Sequence, residues 1–466
     1  MTLRQCFGTG LPAMALVMAM AGLGLSGCGE SAPGTVSRHG AALADGVLIG
    51  VSWPGNEGGF VDGVRLAVDE INQTSGLRGQ PVRVLIDSRE GAMQRRRGPA
   101  AGTAARDRDL ARHIAQDLSR HGVMAVVGHS DPAIAIPAAA IYQHHGVLYL
   151  APNTSQLSLT AFGFDLVFRM QPDHALLART IADYFGTKGY QRIAVVQERS
   201  DTAHELSGLL VQAGAGHPGI RTAATMTFAP GAGDPDIRRL AVDVARLDHP
   251  DAVFLAANCT DSLRIVRELR HRGVTAPVYG GQDLDTDTFW SALQQWRLAT
   301  GAPAGFAVPT VADFRSGVAL RFAQAHTNTY GRAPQRLSAL GYDSVKLVVQ
   351  GLILAKAGVL GEAAATPLHL ADELRYMQGC VGAAGSYHFF DDGNLRAKTM
   401  FIKALAREPS ALPGAREAAR PRAEPDALNF SFTTIRAEAD LGLPECGDLN
   451  QHSGPWADQP AHEERP

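Results

Sequence analysis

At 466 residues the chain is too long for one ordinary hydrophobic core, so two packed lobes are the starting expectation. Hydrophobic residues make up 45% and charged residues 19%, which fits a soluble globular protein and excludes a disordered one. A formal net charge of -3 leaves no electrostatic footprint for nucleic acid, so none is expected as a partner.

Arg4 precedes an apolar, almost uncharged stretch over 11–25, which runs into Leu25-Ser26-Gly27-Cys28. A short apolar segment of this kind predicts an export signal and not a membrane-spanning helix. Its last four residues resemble a bacterial lipobox. That implies a signal peptide over 1–27, lipidation of Cys28 and a membrane anchor through the lipid. Gly29, not Asp, follows the cysteine, which favours release towards the outer membrane. Small polar residues then predict a tether over 28–45. Export implies an oxidising compartment, so Cys259, Cys380 and Cys446 allow one disulfide with one cysteine left over. A Cys380–Cys446 bond would pin the C-terminal tail to the body and leave Cys259, at a strand end, free.

The run GVLIGVS over 46–52 predicts a strand, and 59–72 an amphipathic helix with Val61, Val64, Leu66, Val68 and Ile71 on one face. A turn at Gly76-Leu77-Arg78-Gly79 leads to a second strand over 82–87, completing a βαβ unit and hence a parallel sheet. Residues 89–108, with Arg95-Arg96-Arg97 among Gly, Pro and Ala, are expected to be a flexible surface insertion. A helix over 109–121 and a buried strand over 123–127 resume the alternation. Gly128-His129-Ser130-Asp131-Pro132 breaks that strand, and Ile134, Ala138, Ile141 and Tyr142 fall on the next helical face. Gly146 ends this helix, 147–150 is a strand, and Ala151-Pro152-Asn153-Thr154-Ser155 is a polar turn expected to open another helix. Two polar turns thus end consecutive strands, where open α/β sheets bind ligands.

The second half repeats the pattern. Strands are expected over 166–170, 192–197, 251–256, 277–280 and 305–309, separated by helices over 174–186, 202–212, 236–247 and 262–272. Helices over 317–330, 337–358 and 368–379 follow. Two further strands, 386–392 and 398–405, flank the turn Gly393-Asn394. The Ala, Pro, Arg and Glu of 407–425 read as a linker, and the remainder offers one possible strand over 429–435.

Three short matches to enzyme or metal motifs fail on their own chemistry. Gly128-His129-Ser130 would need a small Gly two residues after the Ser to form a nucleophile elbow, and Pro132 stands there. Gly214-Ala215-Gly216-His217-Pro218-Gly219 follows a helix, whereas a dinucleotide turn follows a strand. Asp283-Leu284-Asp285-Thr286-Asp287 opens like a calcium loop, but Thr288 and Gln294 occupy the places of its Gly and its bidentate Glu. His144-His145 lack a third ligand at useful spacing. No cofactor, metal or catalytic nucleophile is therefore expected.

What remains are six polar turns at strand ends: 53–55, 130–132, 153–155, 198–201, 258–260 and 282–283. Each is expected just before a helix, where unpaired backbone N–H groups suit a carboxylate or other polar head group. One such turn could simply be a helix cap. Six, split between two sheets, point to a ligand cleft between two lobes.

The order of elements from 47 to 404 resembles the extracytoplasmic substrate-binding proteins of ABC importers, of the leucine/isoleucine/valine-binding type. The resemblance is carried by Gly63-Val64-Arg65-Leu66-Ala67-Val68-Asp69-Glu70-Ile71-Asn72, by Val127-Gly128-His129 with Ile136-Pro137-Ala138, and by Ala151-Pro152-Asn153-Thr154 before Leu159-Thr160. Val167-Phe168-Arg169, Gly341-Tyr342-Asp343-Ser344-Val345 and Phe390-Asp391-Asp392-Gly393-Asn394 complete it. It implies an α/β fold of two Rossmann-like lobes with parallel sheets, joined by three crossover strands near Phe168, 307–309 and 382–386. The lobes would be 46–168 with 309–383 and 169–308 with 384–405, leaving 406–466 as linker and tail. A small polar ligand (an amino acid, an amide or a related compound) would be held between them and passed to an ABC permease from the periplasmic side of the envelope.

By the same resemblance, Asn153, Thr154 and Ser155 would hold an anionic or polar head group. Ser130 would stand in for the serine that Pro132 replaces, Asp283 would meet a cationic group, and Trp53 would supply an apolar wall. The family places one aromatic near Thr202 and another near Asn258 or Cys259, and this chain has neither, leaving Thr202 and Asn258 as the candidate contacts there. The alternative on the same scaffold is a ligand sensor or envelope-assembly lipoprotein whose tail after Arg407 contacts a partner.

Overall fold

The computed structural model describes residues 46–74, 76–77, 79–96, 104–302, 305–357, 365–396, 398–405, 430–436 and 443–448. The expected signal, Cys28, the tether and the 407–425 linker lie outside the described residues.

Chain order builds two sheets. The first contains β1 (Val47–Ser52), β2 (Val82–Asp87), β3 (Ala125–Gly128), β4 (Leu148–Ala151) and β5 (Val167–Arg169), in the order β2-β1-β3-β4-β5. Every pairing in it is parallel. Its helices are α1 (Phe60–Gln73), α2 (Arg89–Arg96), α3 (Ala104–Arg120) and α4 (Pro132–His145). β3 and β4 are wholly buried, as continuous apolar runs in a covered parallel sheet must be.

The chain then enters α5 (His174–Thr187), β6 (Arg192–Glu198), α6 (Asp201–Ala215), β7 (Arg221–Phe228), α7 (Asp234–Ala245), β8 (Ala252–Ala256), α8 (Cys259–His271), β9 (Val278–Gly280), α9 (Asp287–Thr300) and β10 (Phe306–Thr310). It returns through α10 (Gly317–Tyr330), α11 (Arg336–Ala357) and α12 (Pro367–Tyr376) to the small pair β11 (Cys380–Gly382) and β12 (Gly385–Tyr387). It ends with β13 (Met400–Leu405) and β14 (Phe430–Arg436). The second sheet runs β14-β13-β10-β9-β8-β6-β7, parallel from β7 to β10 and antiparallel at β13 and β14. This is the expected α/β architecture of two parallel-sheet bodies.

The glycines of two of the quoted motifs have a packing reason. A Cβ on Gly63 of α1 would come within 1.9 Å of the Ser338 carbonyl oxygen, and one on Gly341 of α11 within 2.2 Å of the Phe60 carbonyl oxygen. The two helices therefore touch backbone to backbone, and only glycine fits at either contact. We expect Gly341→Ala to destabilise the fold by about 1–3 kcal/mol in urea titration through overpacking. Gly208→Ala, in open space on α6, should be neutral; equal effects for the two would contradict this account.

Several expectations need correction. Where a flexible insertion was expected over 89–108, Arg89–Arg96 form α2 and the chain is helical again from Ala104 in α3, while 97–103 lie outside the described residues. The reason is Glu90, fully buried against first-sheet residues, with Gly91 packed on Pro54. The turn at 153–155 opens only a single 3-10 turn, Leu157–Leu159. The strands expected over 386–392 and 398–405 go to different partners: β12 pairs with β11, β13 joins the second sheet, and the bridge Phe389↔Leu395 falls at the turn between them. β7 and α9 were not anticipated. The strand expected over 429–435 is present as β14, which pairs along the full length of β13. By contrast, the cysteine expectation holds: Cys380 and Cys446 form a disulfide, and Cys259 is free.

Candidate functional site

The turn after β3 lies over a buried carboxylate. Glu90 Oε1 accepts from Ser52 Oγ at 2.6 Å and pairs with His129 Nδ1. Glu90 Oε2 accepts from both the N–H and the hydroxyl of Ser130, at 3.1 and 2.9 Å. His129 Nε2 meets the Tyr142 hydroxyl at 3.0 Å. Burial raises the Glu90 carboxyl, but His129, Ser52 and Ser130 outweigh it and hold the group below the usual carboxylate value. Ser130, expected to face a ligand, thus gives both of these donors to an internal anion.

The second turn is pinned by arginines. Arg169, fully buried at the end of β5, donates Nη1 to the Thr154 carbonyl at 2.6 Å, Nη2 to the Gln156 carbonyl at 2.8 Å and Nε to Asn394 Oδ1 at 2.8 Å. Burial pushes its guanidinium down to about 10. Its backbone N–H also donates to the Gly393 carbonyl at 2.9 Å, which explains why Phe168-Arg169 and Gly393-Asn394 occur together. Asn153 donates to the Ser130 carbonyl at 2.9 Å and accepts from Arg336 Nη2 at 3.2 Å. None of Asn153, Thr154 and Ser155 caps a helix; the 3-10 turn that follows has Gln156 at its N-cap, without a side-chain bond. The Ser155 hydroxyl instead accepts from Gln282 Nε2, a residue of the second body.

From the second sheet, Thr202 on α6, Asn258 at the start of α8 and Asp283 in the 3-10 turn Gln282–Leu284 line one cleft of about 1050 Å³, together with Asp131, Pro132 and Ala133 of the first body. Asp283 and Asn258 are exposed and Thr202 is half-buried. Asn258 does cap α8, accepting from the Asp261 N–H at 3.0 Å, and its amide donates to Glu198 at 2.8 Å. The structure therefore brings Thr202, Asn258 and Asp283 together on the cleft wall. Ser130, Asn153, Thr154 and Ser155 are not among the residues that line it.

Trp53 does not belong to that wall. It is fully buried, stacks on Phe60 at 3.9 Å between ring centroids and donates Nε1 to the Glu57 carbonyl at 2.9 Å. With its one polar atom satisfied locally, a large apolar ring is most stable in the core.

Three buried residues were missed in the sequence. Asp285 accepts from Lys403 Nζ at 2.7 Å, Trp290 Nε1 at 2.9 Å and Thr310 Oγ1 at 2.7 Å, tying β10, α9 and β13 together. Burial raises its carboxyl, and Lys403 overcomes that to leave it below the usual value. Gln171 and Arg336 lie behind the Asn153 turn, joined by a 2.8 Å bond from Arg336 Nη1 to Gln171 Oε1. An arginine in the first turn of a helix runs against the helix dipole, which is the one sequence signal that could have marked it. Among the described residues, no group of three or more His, Cys, Asp or Glu is placed to hold a metal.

Glu90 and Asp285 also set an acid limit. Each has a folded-state carboxyl below its ordinary value, near 4.5 and 3.8, so the stability it contributes is present above those values and is lost as pH falls below them. Tm should be level from pH 7 to 5 and fall below about pH 4, with Glu90→Gln flattening the fall; a level Tm down to pH 3 would contradict this.

The periplasmic binding protein family profile matches residues 103–406, well over half of the chain. The chain belongs to the periplasmic binding protein family. Among relatives of this family, Leu/Ile/Val-binding protein homolog 3 of Brucella melitensis is 25% identical over 264 residues, 55% of this chain and 66% of that protein. Leu/Ile/Val-binding protein BraC3 of Rhizobium johnstonii is 23% identical over 343 residues, 73% of this chain and 85% of that protein. The fold matches that of the branched-chain amino acid transporter substrate-binding protein LivJ of Streptococcus pneumoniae, solved with isoleucine. The TM-score is 0.63 at 20% identity, covering 84% of this chain and 99% of that one. Periplasmic binding proteins are solute-binding proteins, and membership implies a periplasmic location.

Proposed function

We propose that this chain captures a small polar solute of the amino-acid class between its two bodies and delivers it to an ABC permease, without chemistry of its own. The observation that carries this reading is the meeting of strand-end turns from both sheets. Ser155 of the first is bonded to Gln282 of the second, and Thr202, Asn258 and Asp283 face Asp131 and Pro132 across one cleft. Differential affinity for the closed arrangement is enough to drive closure. Asp283, exposed on the cleft wall, is the candidate for a cationic group of the solute. The relatives named as Leu/Ile/Val-binding proteins and the isoleucine complex of LivJ support the amino-acid class. A lipid on Cys28 would hold the protein at the membrane.

The sensor or assembly reading relies on a tail free to reach a partner. Here Cys446 is bonded to Cys380 and β14 is paired into the second sheet, which supports the solute-capture reading instead.

A melting panel of amino acids, their amides, urea and short carboxylates tests the reading. A true ligand at about 100-fold its Kd should add roughly 2.7 kcal/mol. Unchanged melting with every compound would sink it.

A further inference from the structure

We propose that Glu205 is a positioning residue that sets the width of the solute cleft, clasping the Leu157 N–H of the first body from helix α6 of the second. Its role in binding rests on the solute-capture reading above; its geometry does not.

The segment 154–157 is bonded alternately to the two bodies. Arg169 of β5 holds the carbonyls of Thr154 and Gln156 from the first-body side. Ser155 and Leu157 turn to the second body. The Ser155 carbonyl accepts from the His174 N–H at 2.8 Å and its hydroxyl from Gln282 Nε2, while Leu157 donates its N–H to Glu205 Oε1 at 3.0 Å. His174 aims the carboxylate, since its buried ring places Nδ1 at 2.6 Å from the same oxygen. Its helix, α5, belongs to the second body, where Tyr184 and Phe185 pack on Tyr279 of β9. Burial raises the Glu205 carboxyl, but His174 and the Leu157 N–H outweigh it and hold the group below the usual carboxylate value.

The clasp stands directly against the cleft on both sides. Gln156 and Ser158, the chain neighbours of Leu157, line the cleft, and so do Thr202 and Leu206, the neighbours of Glu205 on α6. One bond between backbone and carboxylate therefore ties a wall of the first body to a wall of the second. It is charge-assisted, whereas the Gln282–Ser155 bond beside it joins two neutral groups, so it is the stronger of the two restraints. It is also reversible. Glu205 is half-buried and Leu157 exposed, so water can take over both groups when the bond parts, and the bodies can separate without stranding a buried donor.

The test is a double-mutant cycle on the full chain, read by small-angle X-ray scattering and by the kinetics of L-isoleucine binding. Glu205→Ala removes the acceptor. Leu157→Pro removes the donor and little else, because Leu157 opens its 3-10 turn and Gln156 before it, at φ -60° and ψ 136°, already has a backbone that a following proline accepts. Each variant should enlarge the radius of gyration and raise the isoleucine off-rate about 10-fold. The double variant should add nothing further, since both changes delete one bond. Glu205→Gln, which keeps an acceptor, should stay within about 3-fold of the wild-type off-rate. Wild-type scattering or a wild-type off-rate in the two single variants, or full additivity in the double variant, would overturn the clasp and leave solute capture standing. Should Glu205→Ala fail to fold, Leu157→Pro decides by the same two readouts. Should isoleucine not bind the wild-type chain, scattering alone decides the clasp, and the melting panel judges the capture reading separately.

Discussion

Glu90→Ala is expected to destabilise the protein by about 3–5 kcal/mol, the range seen when one partner of a buried charged pair is removed. The substitution strips the acceptor from Ser52, from His129 and from the N–H and hydroxyl of Ser130 in one step. Glu90 and the ring of His129 have no exposed side-chain surface, so the orphaned donors cannot readily turn to solvent. The loss should register as a lower urea midpoint with an unchanged slope. Glu90→Gln keeps shape and part of the acceptor capacity and should lose less. A loss below about 1 kcal/mol for the alanine variant would show that the cluster is not a structural unit.

Cys446→Ser should be almost as damaging. The Cys380–Cys446 bond joins residues 66 apart in sequence, and chain entropy alone assigns a loop of that length about 4 kcal/mol, with 2–4 typical in practice. Other bonds to the tail segment include Val381 N–H to the Pro444 carbonyl at 2.8 Å, Cys446 N–H to the Val381 carbonyl at 3.0 Å, Gly447 N–H to Gln350 Oε1 at 2.8 Å and the Arg321–Glu445 ion pair at the surface. Cys380 also lies beside the loop that supplies the Ala383 and Ala384 N–H groups to Asp343, so the damage should reach α11. The check is thermal unfolding with and without reductant, together with the variant. If reductant leaves the wild-type Tm in place while peptide mapping shows free thiols, the bond contributes nothing.

The fold was legible because its signals are local. Apolar runs such as those of β3 and β4, the positive-φ Gly146 ending α4 and the amphipathic face of α1 each announce an element within a few residues. β7 escaped because its alternation is carried by Thr and Ala on a half-exposed strand, and α9 because its acidic start drew attention as a failed calcium loop. The site was harder to read because its decisive contacts are long-range. Nothing near Glu90, in a stretch rich in Arg and Gly, marks it as the acceptor for residues about 40 positions away. Trp53 looked like a wall because an aromatic at a strand end is ambiguous until Phe60 is seen stacked on it. Thr202, Asn258 and Asp283 were legible as a group, since they stand at ends of parallel strands, where chain order alone gathers them.

β14 bears on how this protein should be handled outside the cell. The family match stops at residue 406, and β13 would be the edge of the second sheet in a chain cut there. Its six residues, with Phe401 and Leu405 among them, would then present a row of unpaired backbone groups, a template for pairing with other molecules. A recombinant chain ending at 405 should therefore form soluble oligomers and precipitate on concentration, as light scattering would register. Cys446→Ser, which retains β14, should remain monodisperse.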